Sequence, residues 1–196
     1  MLHISILAHD LLPLCNKFVN HNVNQDKSKN KINMTNNKIT RILFVCLGNI
    51  CRSAAANGVM EDFIAKEGLE NKIAIDSAGT YGGHAGELPD PRMRVAASRR
   101  GYNLTHRSRR IKEEDFYNFD MIIVMDDSNY ENVARLAPER KYLNKVYRFV
   151  EFSKNHPEWS YVPDPYYEGH EGFELVLDLL EDGCAELLTQ LKKNIK

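Results

Sequence analysis

VCLGNICRS, residues 45–53, stands between an apolar run and an alanine-rich run of the chain. The apolar run RILFVC at 41–46 is typical of a strand buried on both faces, and RSAAANGVMEDFIAKEG at 52–68 has the spacing of a helix that stops at Gly68. Cys46 is therefore predicted to end a strand, and Arg52 to open the next helix. In open α/β sheets, ligands bind at the carboxyl ends of the strands. The stretch 45–53 contains the carboxyl end of a predicted strand, so it is predicted to be a binding loop.

The chain beyond this loop continues to alternate between strand and helix patterns. Further strands are predicted at 72–79, 120–126 and 145–150, and further helices at 90–101, 112–119, 127–139 and 171–193. This alternation predicts a single α/β domain, doubly wound, with a four-stranded parallel sheet and helices on both faces. Asp127 or Ser128 is expected to open the helix at 127–139. The last helix is amphipathic, and its predicted inner side holds Phe173, Val176, Leu177, Leu180, Cys184 and Leu187.

Charge and hydropathy narrow the class of protein. The formal net charge is -1 over 196 residues, which gives no case for a nucleic-acid partner. No apolar run approaches the ~20 residues that span a bilayer, so no membrane partner is expected. The chain has four cysteines, too few and too scattered for a secreted disulfide framework. A cytoplasmic location is therefore predicted.

Residues 1–40 differ from the rest in composition. The part NHNVNQDKSKNKINMTNNKIT is rich in asparagine and lysine and poor in apolar residues, so it buries too little surface to offset its ordering entropy. We expect an N-terminal extension that is disordered, or mis-annotated with Met34 as the true start, ahead of a domain at 41–196.

The residue types in the loop point to phosphate chemistry. Gly48 and Asn49 tolerate positive φ angles, which turn backbone N–H groups inward as an anion nest. The helix N-terminus adds partial positive charge, and Arg52 offers a planar fork that fits two phosphate oxygens. A dianionic phosphate fits this cradle, which also favours the thiolate of Cys46 as a nucleophile. Ser53 is placed to donate a hydroxyl to the sulfur.

The spacing Cys-x5-Arg-Ser resembles the signature of the cysteine-dependent phosphatases. The fuller string FVCLGNICRS resembles the low-molecular-weight protein tyrosine phosphatase family. DSAGTYGGHAGELPDPRM, THRSRRIKEEDF, MDDSNY and VPDPYYEGHEGF are similar to later segments of that family, in the same order. The resemblance runs from Arg41 to Lys193, so it covers everything except the N-terminal extension.

The resemblance implies hydrolysis of phosphotyrosine through a phosphocysteine, with no cofactor and no metal. It makes Cys46 the nucleophile, Arg52 the phosphate-binding residue and Asp164 the general acid and base. A tyrosine leaving group has a pKa near ~10, so its departure at neutral pH needs a proton donor. The implied phosphate-binding loop consists of Leu47, Gly48, Asn49, Ile50, Cys51, Arg52 and Ser53.

The resemblance also implies supporting roles around the loop. Ser53 steadies the thiolate, Asn49 is held by hydrogen bonds, and His106 supports it. Cys51 is a redox partner, because the family closes a disulfide between the two loop cysteines under peroxide and so protects the nucleophile. The implied cleft-lining aromatics are Tyr81, Tyr166 and Tyr167.

The cleft-lining aromatic that the family often has after SAGT is displaced here, where Tyr81 precedes Gly82 and Gly83. Two further positions depart from the family pattern. Ala54 stands where the family usually has proline, and Asn57 stands where it usually has glutamate. The basic stretch 107–110 reads as a solvated face. The implied partner is a phosphotyrosine-containing protein, with an autophosphorylating tyrosine kinase as one candidate, and the oligomeric state, monomer or weak dimer, is left open.

Three other functions compete with this interpretation. Arsenate reduction on the same fold uses further cysteines on a mobile segment, and residues 118–145 contain none. In the phosphoarginine phosphatases of this fold a threonine precedes the second loop cysteine, where this chain has Ile50, whose bulk suits an aromatic ring. A non-catalytic phosphotyrosine-binding module is disfavoured because Cys46 and Asp164 are both retained.

Overall fold

The protein forms a four-stranded sheet in which all strands are parallel and the order is β2-β1-β3-β4. A computed structural model describes residues 39–194. The predicted extension at 1–40 therefore lies outside the described residues except for Ile39 and Thr40, the latter opening the first strand. The strands are β1 (Thr40–Cys46), β2 (Ile73–Gly79), β3 (Met121–Val124) and β4 (Val146–Arg148).

Helices cover both faces of the sheet, as predicted for a doubly wound domain. They are α1 (Arg52–Lys66), α2 (Pro91–Arg99), α3 (Asp115–Asn118), α4 (Asp127–Leu136) and α5 (His170–Asn194). Alternate residues of β1 enter two separate cores, because side chains of a strand point to opposite faces. Phe44 packs in the core formed with α1, α2 and α5. Val45 packs in the core formed with α3 and α4.

The helix ends follow their capping residues. Gly68 and Gly101 both adopt positive φ, as expected of residues that follow the C-terminus of a helix. The inner side predicted for α5 is confirmed, since all six of its residues are buried. The predicted start of α4 at Asp127 is confirmed, and the preceding residue, Asp126, caps the helix because its side chain accepts a hydrogen bond from the Asn129 N–H.

The prediction of a fourth strand over 145–150 is wrong at its C-terminal end. The strand stops at Arg148, and Phe149–Phe152 forms a 3₁₀ turn. The ring of Phe149 lies 6.1 Å from that of Phe44 and against Gly183 of α5, where a Cβ atom would come within 2.3 Å of it. The apolar residues at 149–152 therefore enter the core from a turn. Their composition alone does not show whether they form a turn or a strand.

Within residues 39–194, none of the helices is both long and apolar enough to cross a membrane.

Candidate active site

Cys46 lies at the carboxyl end of the central strand β1, and it is 2% exposed. Its Sγ accepts a hydrogen bond from the Asn49 backbone N–H at 3.3 Å, and the Ser53 Oγ lies 3.1 Å away. The Ser53 hydroxyl also lies 3.3 Å from the Ala78 carbonyl oxygen. The Asn49 N–H and the Ser53 hydroxyl thus both contact the sulfur.

Asn49 holds the loop together with both ends of its side chain. Its φ is 57°, in the left-handed region that asparagine tolerates better than most residues. Its Nδ2 donates to the Oγ atoms of Ser53 and Ser77, each at 2.9 Å. Its Oδ1 accepts from the Arg109 backbone N–H at 3.0 Å and faces the His106 Nε2 at 3.3 Å. All the hydrogen-bonding capacity of this buried amide is used.

The residue types at positions 48 and 49 of the loop, and at position 79 beside it, have different structural reasons. Asn49 has the predicted positive φ, but Gly48 does not. A Cβ atom on Gly48 would instead lie 3.2 Å from the His84 ring. At the neighbouring end of β2, a Cβ on Gly79 would come within 2.6 Å of the Leu47 carbonyl oxygen. Glycine at 79 therefore permits the loop backbone to pass close to β2.

The Arg52 side chain joins three segments at the pocket floor. It is 2% exposed, and its Nη1 donates to the Asp126 carboxylate and to the Val162 carbonyl oxygen. Its Nη2 donates to the Asp164 Oδ2 at 2.7 Å. Burial opposes the charged form, but the nearby Cys46, Asp164 and Asp126 outweigh it and raise the pKa of Arg52 above its ordinary value. The guanidinium is thus a permanent cation at this edge.

A pocket of about 240 Å³ opens above Cys46 and Arg52. The predicted loop and cleft residues that line it are Leu47, Gly48, Ile50, Cys51, Tyr81, Asp164, Tyr166 and Tyr167. Asn49 and Ser53 are fully buried behind the loop, and His106 contacts Asn49 from outside the pocket. The structure therefore brings Cys46, Arg52 and Asp164 together at one pocket, with Asn49, Ser53 and His106 behind them.

Cys51 lines the same pocket as Cys46 but has a different environment. Burial raises the pKa of the Cys51 thiol, and the neighbouring negative charges of Asp90, Cys46 and Asp164 act in the same direction. Asp90 is an anion because hydrogen bonds from the Arg92 side chain hold the pKa of its carboxyl below the usual range. Cys51 is thus a protonated thiol at neutral pH.

Tyr81 folds back over Gly83 at the rim of the pocket. A Cβ atom on Gly83 would lie 2.2 Å from the Tyr81 ring, so the ring fills the space of a side chain at 83. The ring also contacts the imidazole of His84 edge-on, with centroids 6.2 Å apart. Tyr81 and His84 therefore form a wall of two rings on this side of the pocket.

The expectation of a solvated face at 107–110 is wrong for its middle. Ser108 is buried, and its hydroxyl donates to the Gly48 carbonyl oxygen at 3.0 Å. The Arg109 guanidinium pairs with Asp76 at 2.7 Å and with Asp115 at 2.9 Å. This segment fastens the loop at 46–53 to β2 and α3.

Two further residues at the site escaped the sequence analysis. Asp126 anchors Arg52, and His84 lines the pocket while pairing with Glu87 at 2.8 Å. Asp126 carries a usable signal, since it follows the buried run of β3 and so lies at the same sheet edge as Cys46. No such pattern marks His84. Among residues 39–194, no three histidine, cysteine or acidic side chains are grouped as a metal site would need.

This fold and site define a cysteine-dependent phosphatase. A family model described as low molecular weight phosphotyrosine protein phosphatase matches residues 41–196, and the chain belongs to that family. A putative low molecular weight protein-tyrosine-phosphatase of Synechocystis is 46% identical over 155 residues, which cover 79% of this chain and 98% of the relative.

Solved structures of the family superpose on this chain. A protein tyrosine phosphatase from Entamoeba histolytica is 43% identical, with a TM-score of 0.76, and covers 79% of this chain and 97% of its own. A Drosophila arginine phosphatase is 28% identical, with a TM-score of 0.70, and covers 76% of this chain and 95% of its own. The fold is therefore shared by enzymes with two different phosphorylated substrates.

Proposed function

We propose that the protein hydrolyses phosphotyrosine in proteins through a phosphocysteine formed on Cys46. The observation that carries this proposal is the convergence of Cys46, Arg52 and Asp164 on one pocket. Together they supply a nucleophile, a fixed cation for the phosphoryl oxygens and a group that transfers protons.

The first step transfers the phosphoryl group to sulfur. Phosphate binds at the Arg52 Nε N–H, which has no partner within the described part of the chain, and at the second N–H of Nη2, while Asp164 pairs with Nη2 at 2.7 Å beside it. The thiolate of Cys46 attacks phosphorus opposite the tyrosine oxygen, an S–P bond forms, and the P–O bond to the ring breaks. Asp164, in its protonated form, gives its proton to the departing phenolate. Charge on the phosphoryl oxygens is met by Arg52 and the loop.

The second step hydrolyses the phosphocysteine. Asp164, now a carboxylate, takes a proton from a water molecule that attacks phosphorus. The S–P bond breaks and Cys46 leaves as a thiolate, while inorganic phosphate is released. The Ser53 hydroxyl, 3.1 Å from the sulfur, donates to the thiolate and makes it a better leaving group.

The pocket walls favour a phosphorylated aromatic ring. Ile50 is buried in one wall and Tyr166 is half-exposed in another. Tyr81 closes a third side. An aromatic ring buries apolar surface against these side chains and meets the tyrosines at favourable ring geometries. A phosphoarginine side chain would place its polar guanidino nitrogens against Ile50, so it is the weaker candidate.

Turnover of small substrates and matched peptides tests this proposal. We expect p-nitrophenyl phosphate to be hydrolysed, Cys46→Ser to abolish turnover, and a phosphotyrosine peptide to be preferred over a phosphoarginine peptide of the same sequence. Asp164→Ala should slow a poor leaving group by roughly 10²–10⁴-fold and a good one far less. Asp127→Ala removes an exposed carboxylate paired with Arg148 and serves as the control. Equal loss for both leaving groups would refute the acid role of Asp164.

We further place this activity in the cytoplasm, acting on phosphoproteins that include an autophosphorylating tyrosine kinase. Support comes from Cys46, Cys51 and Cys184, which are free thiols of the kind that reducing compartments preserve. A Cys46→Ser variant would retain its phosphoprotein, and mass spectrometry of the captured chain identifies the substrate. Capture that persists with excess vanadate would show binding outside the pocket.

A further inference from the structure

A second concavity, of about 480 Å³, lies between α2 and the start of α5. We call it the α2–α5 groove. One wall is a strip of α2 made by Arg92, Val95, Ala96 and Arg99, which the helical periodicity places on a single face. The opposite wall is the segment 168–170, and the ring of Phe173 closes the base. Nothing in the proposed mechanism uses this groove.

The centre of the groove is apolar, and Arg92 and Arg99 mark its ends, with Glu168 also in the lining. The Arg92 charge is already paired with Asp90 at 2.8 Å, so Arg99 is the cation that a ligand would meet. Val95 is 53% exposed, whereas Ala96 and Phe173 are buried beneath it. Arg92 marks one end, with its guanidinium 4.9 Å above the Phe173 ring. Arg99 marks the other end, where its Nη1 lies 2.6 Å from the His170 Nε2. A ligand that complements this surface is apolar in the middle and carries a negative charge beside it.

The groove and the catalytic pocket share a wall. Tyr166 and Tyr167 line the pocket, and Glu168, the next residue, lines the groove. Arg92 stands between them, since its Nη1 donates to the Tyr166 carbonyl oxygen at 3.0 Å. A peptide bound in the pocket therefore meets the groove as soon as it crosses this wall. An extended chain advances ~3.3 Å per residue, so the crossing needs only a few residues.

We propose that the α2–α5 groove binds the substrate chain next to its phosphotyrosine. An apolar side chain two to four residues from the phosphotyrosine fills the space over Val95, and an acidic neighbour pairs with Arg99. The groove then selects which phosphotyrosine segments are hydrolysed fast, while the pocket performs the chemistry. This inference rests on the proposed phosphotyrosine hydrolysis.

A set of phosphotyrosine peptides measures the selectivity directly. The peptides share a glycine-serine background with one glutamate, and a single leucine is moved through the four positions on each side of the phosphotyrosine. We expect leucine at one of these positions to raise kcat/KM about tenfold, because its side chain is then transferred from water into the groove. Val95→Glu places a charge in the groove and should abolish that gain, with turnover of p-nitrophenyl phosphate unchanged.

Ser98→Glu is the matched control, since it adds the same charge to an exposed position of α2 that does not line the groove. It should keep the leucine preference. Equal kcat/KM for all peptides, with normal hydrolysis of p-nitrophenyl phosphate, would overturn the groove proposal alone. Failure of the wild-type protein to hydrolyse p-nitrophenyl phosphate would overturn the proposed function instead. If Val95→Glu keeps the preference but shifts the elution volume in size-exclusion chromatography, the groove binds a second copy and the proposal is wrong.

Discussion

The carboxylate of Asp164 accepts a 2.7 Å hydrogen bond from the guanidinium of Arg52. The residue proposed to move protons is therefore paired with the residue proposed to bind phosphate. Arg52 need not release Asp164 to bind phosphate, because Nη2 carries a second N–H and the Arg52 Nε has no partner among residues 39–194. A phosphate bound there would lie beside the Asp164 carboxylate. The two anions would then compete for the charge of one guanidinium.

The competition for Arg52 predicts that Asp164→Asn binds inorganic phosphate more tightly than the wild-type protein. The substitution removes a negative charge that repels the dianion and competes for the guanidinium. We expect the inhibition constant of phosphate to fall roughly threefold to tenfold, while kcat falls as well. The inhibition constant is measured from the inhibition of p-nitrophenyl phosphate hydrolysis by phosphate at constant ionic strength. Asp127→Asn is the control, because it removes the same charge at an exposed site and should leave the inhibition constant unaltered. A higher inhibition constant for Asp164→Asn would contradict the competition between Asp164 and phosphate.

Asp126 has two functions that two substitutions separate. Its Oδ1 caps α4 through the Asn129 N–H, and its Oδ2 accepts from Arg52. Asp126→Asn keeps the cap with its one oxygen but turns an NH₂ group toward the guanidinium. Asp126→Ala loses both contacts. We therefore expect Asn to lower kcat/KM at least as much as Ala. Both variants lose the ion pair with Arg52, and Ala also loses the cap, which lowers its free energy of unfolding by about a further 1 kcal/mol.

Urea denaturation and steady-state kinetics on the two Asp126 variants check this separation. Wild-type kcat/KM in the Asn variant would show that Arg52 is held without this carboxylate. Equal free energies of unfolding for the Asn and Ala variants would show that the cap contributes nothing to α4.

Asn49→Gly and Asn49→Ala both remove the side-chain hydrogen bonds of Asn49, but we expect the two variants to differ in stability. Both Asn49→Gly and Asn49→Ala lose the hydrogen bonds to Ser53 and Ser77 and those at Oδ1. Only alanine must hold a Cβ atom at φ 57°, which costs about 1 kcal/mol relative to glycine. We expect the Ala variant to unfold at lower urea concentration than the Gly variant. Equal midpoints would mean that the loop backbone relaxes when the side chain is gone.

Much of the fold follows from local pattern alone. Buried strands such as β1 and β3 are short apolar runs, and α2 is bounded by Asp90 and Gly101, so their positions need no knowledge of the rest of the chain. The end of β4 depends instead on the packing of Phe149 against Phe44 and Gly183. A turn imposed by tertiary packing is not encoded in the hydropathy of its own residues.

Part of the candidate site can likewise be predicted from local sequence, and part depends on tertiary structure. The loop residues from Cys46 to Ser53 are contiguous, so their grouping is visible in the sequence. Asp126 reaches Arg52, and His84 reaches the pocket, only because β3 and β2 end at the same sheet edge as β1. Arg109 looked like a surface charge because its partners, Asp76 and Asp115, lie on other elements. Such pairings depend on strand register and loop course, which a single sequence does not specify.

The two loop cysteines predict different responses to peroxide in the wild-type protein and in Cys51→Ala. Peroxide oxidises the Cys46 thiolate to a sulfenic acid, and the Cys51 thiol then attacks that sulfur, forming a disulfide and releasing water. A thiol reductant restores both residues. Without Cys51, the sulfenic acid stays open to further oxidation, which thiols do not reverse. We expect wild-type activity to return after dithiothreitol and the variant to stay inactive.

Cys184→Ala is the control for this experiment, because it removes a free thiol that is buried in α5, far along the chain from the pocket loop. Its activity should return as the wild type does, and mass spectrometry of the oxidised wild-type protein should find residues 46 and 51 in one cross-linked peptide or peptide pair. Recovery of Cys51→Ala to the wild-type level would rule out protection by a disulfide. The Cys46 sulfur would then have to be shielded by its own surroundings, through the Asn49 N–H and the Ser53 hydroxyl that contact it.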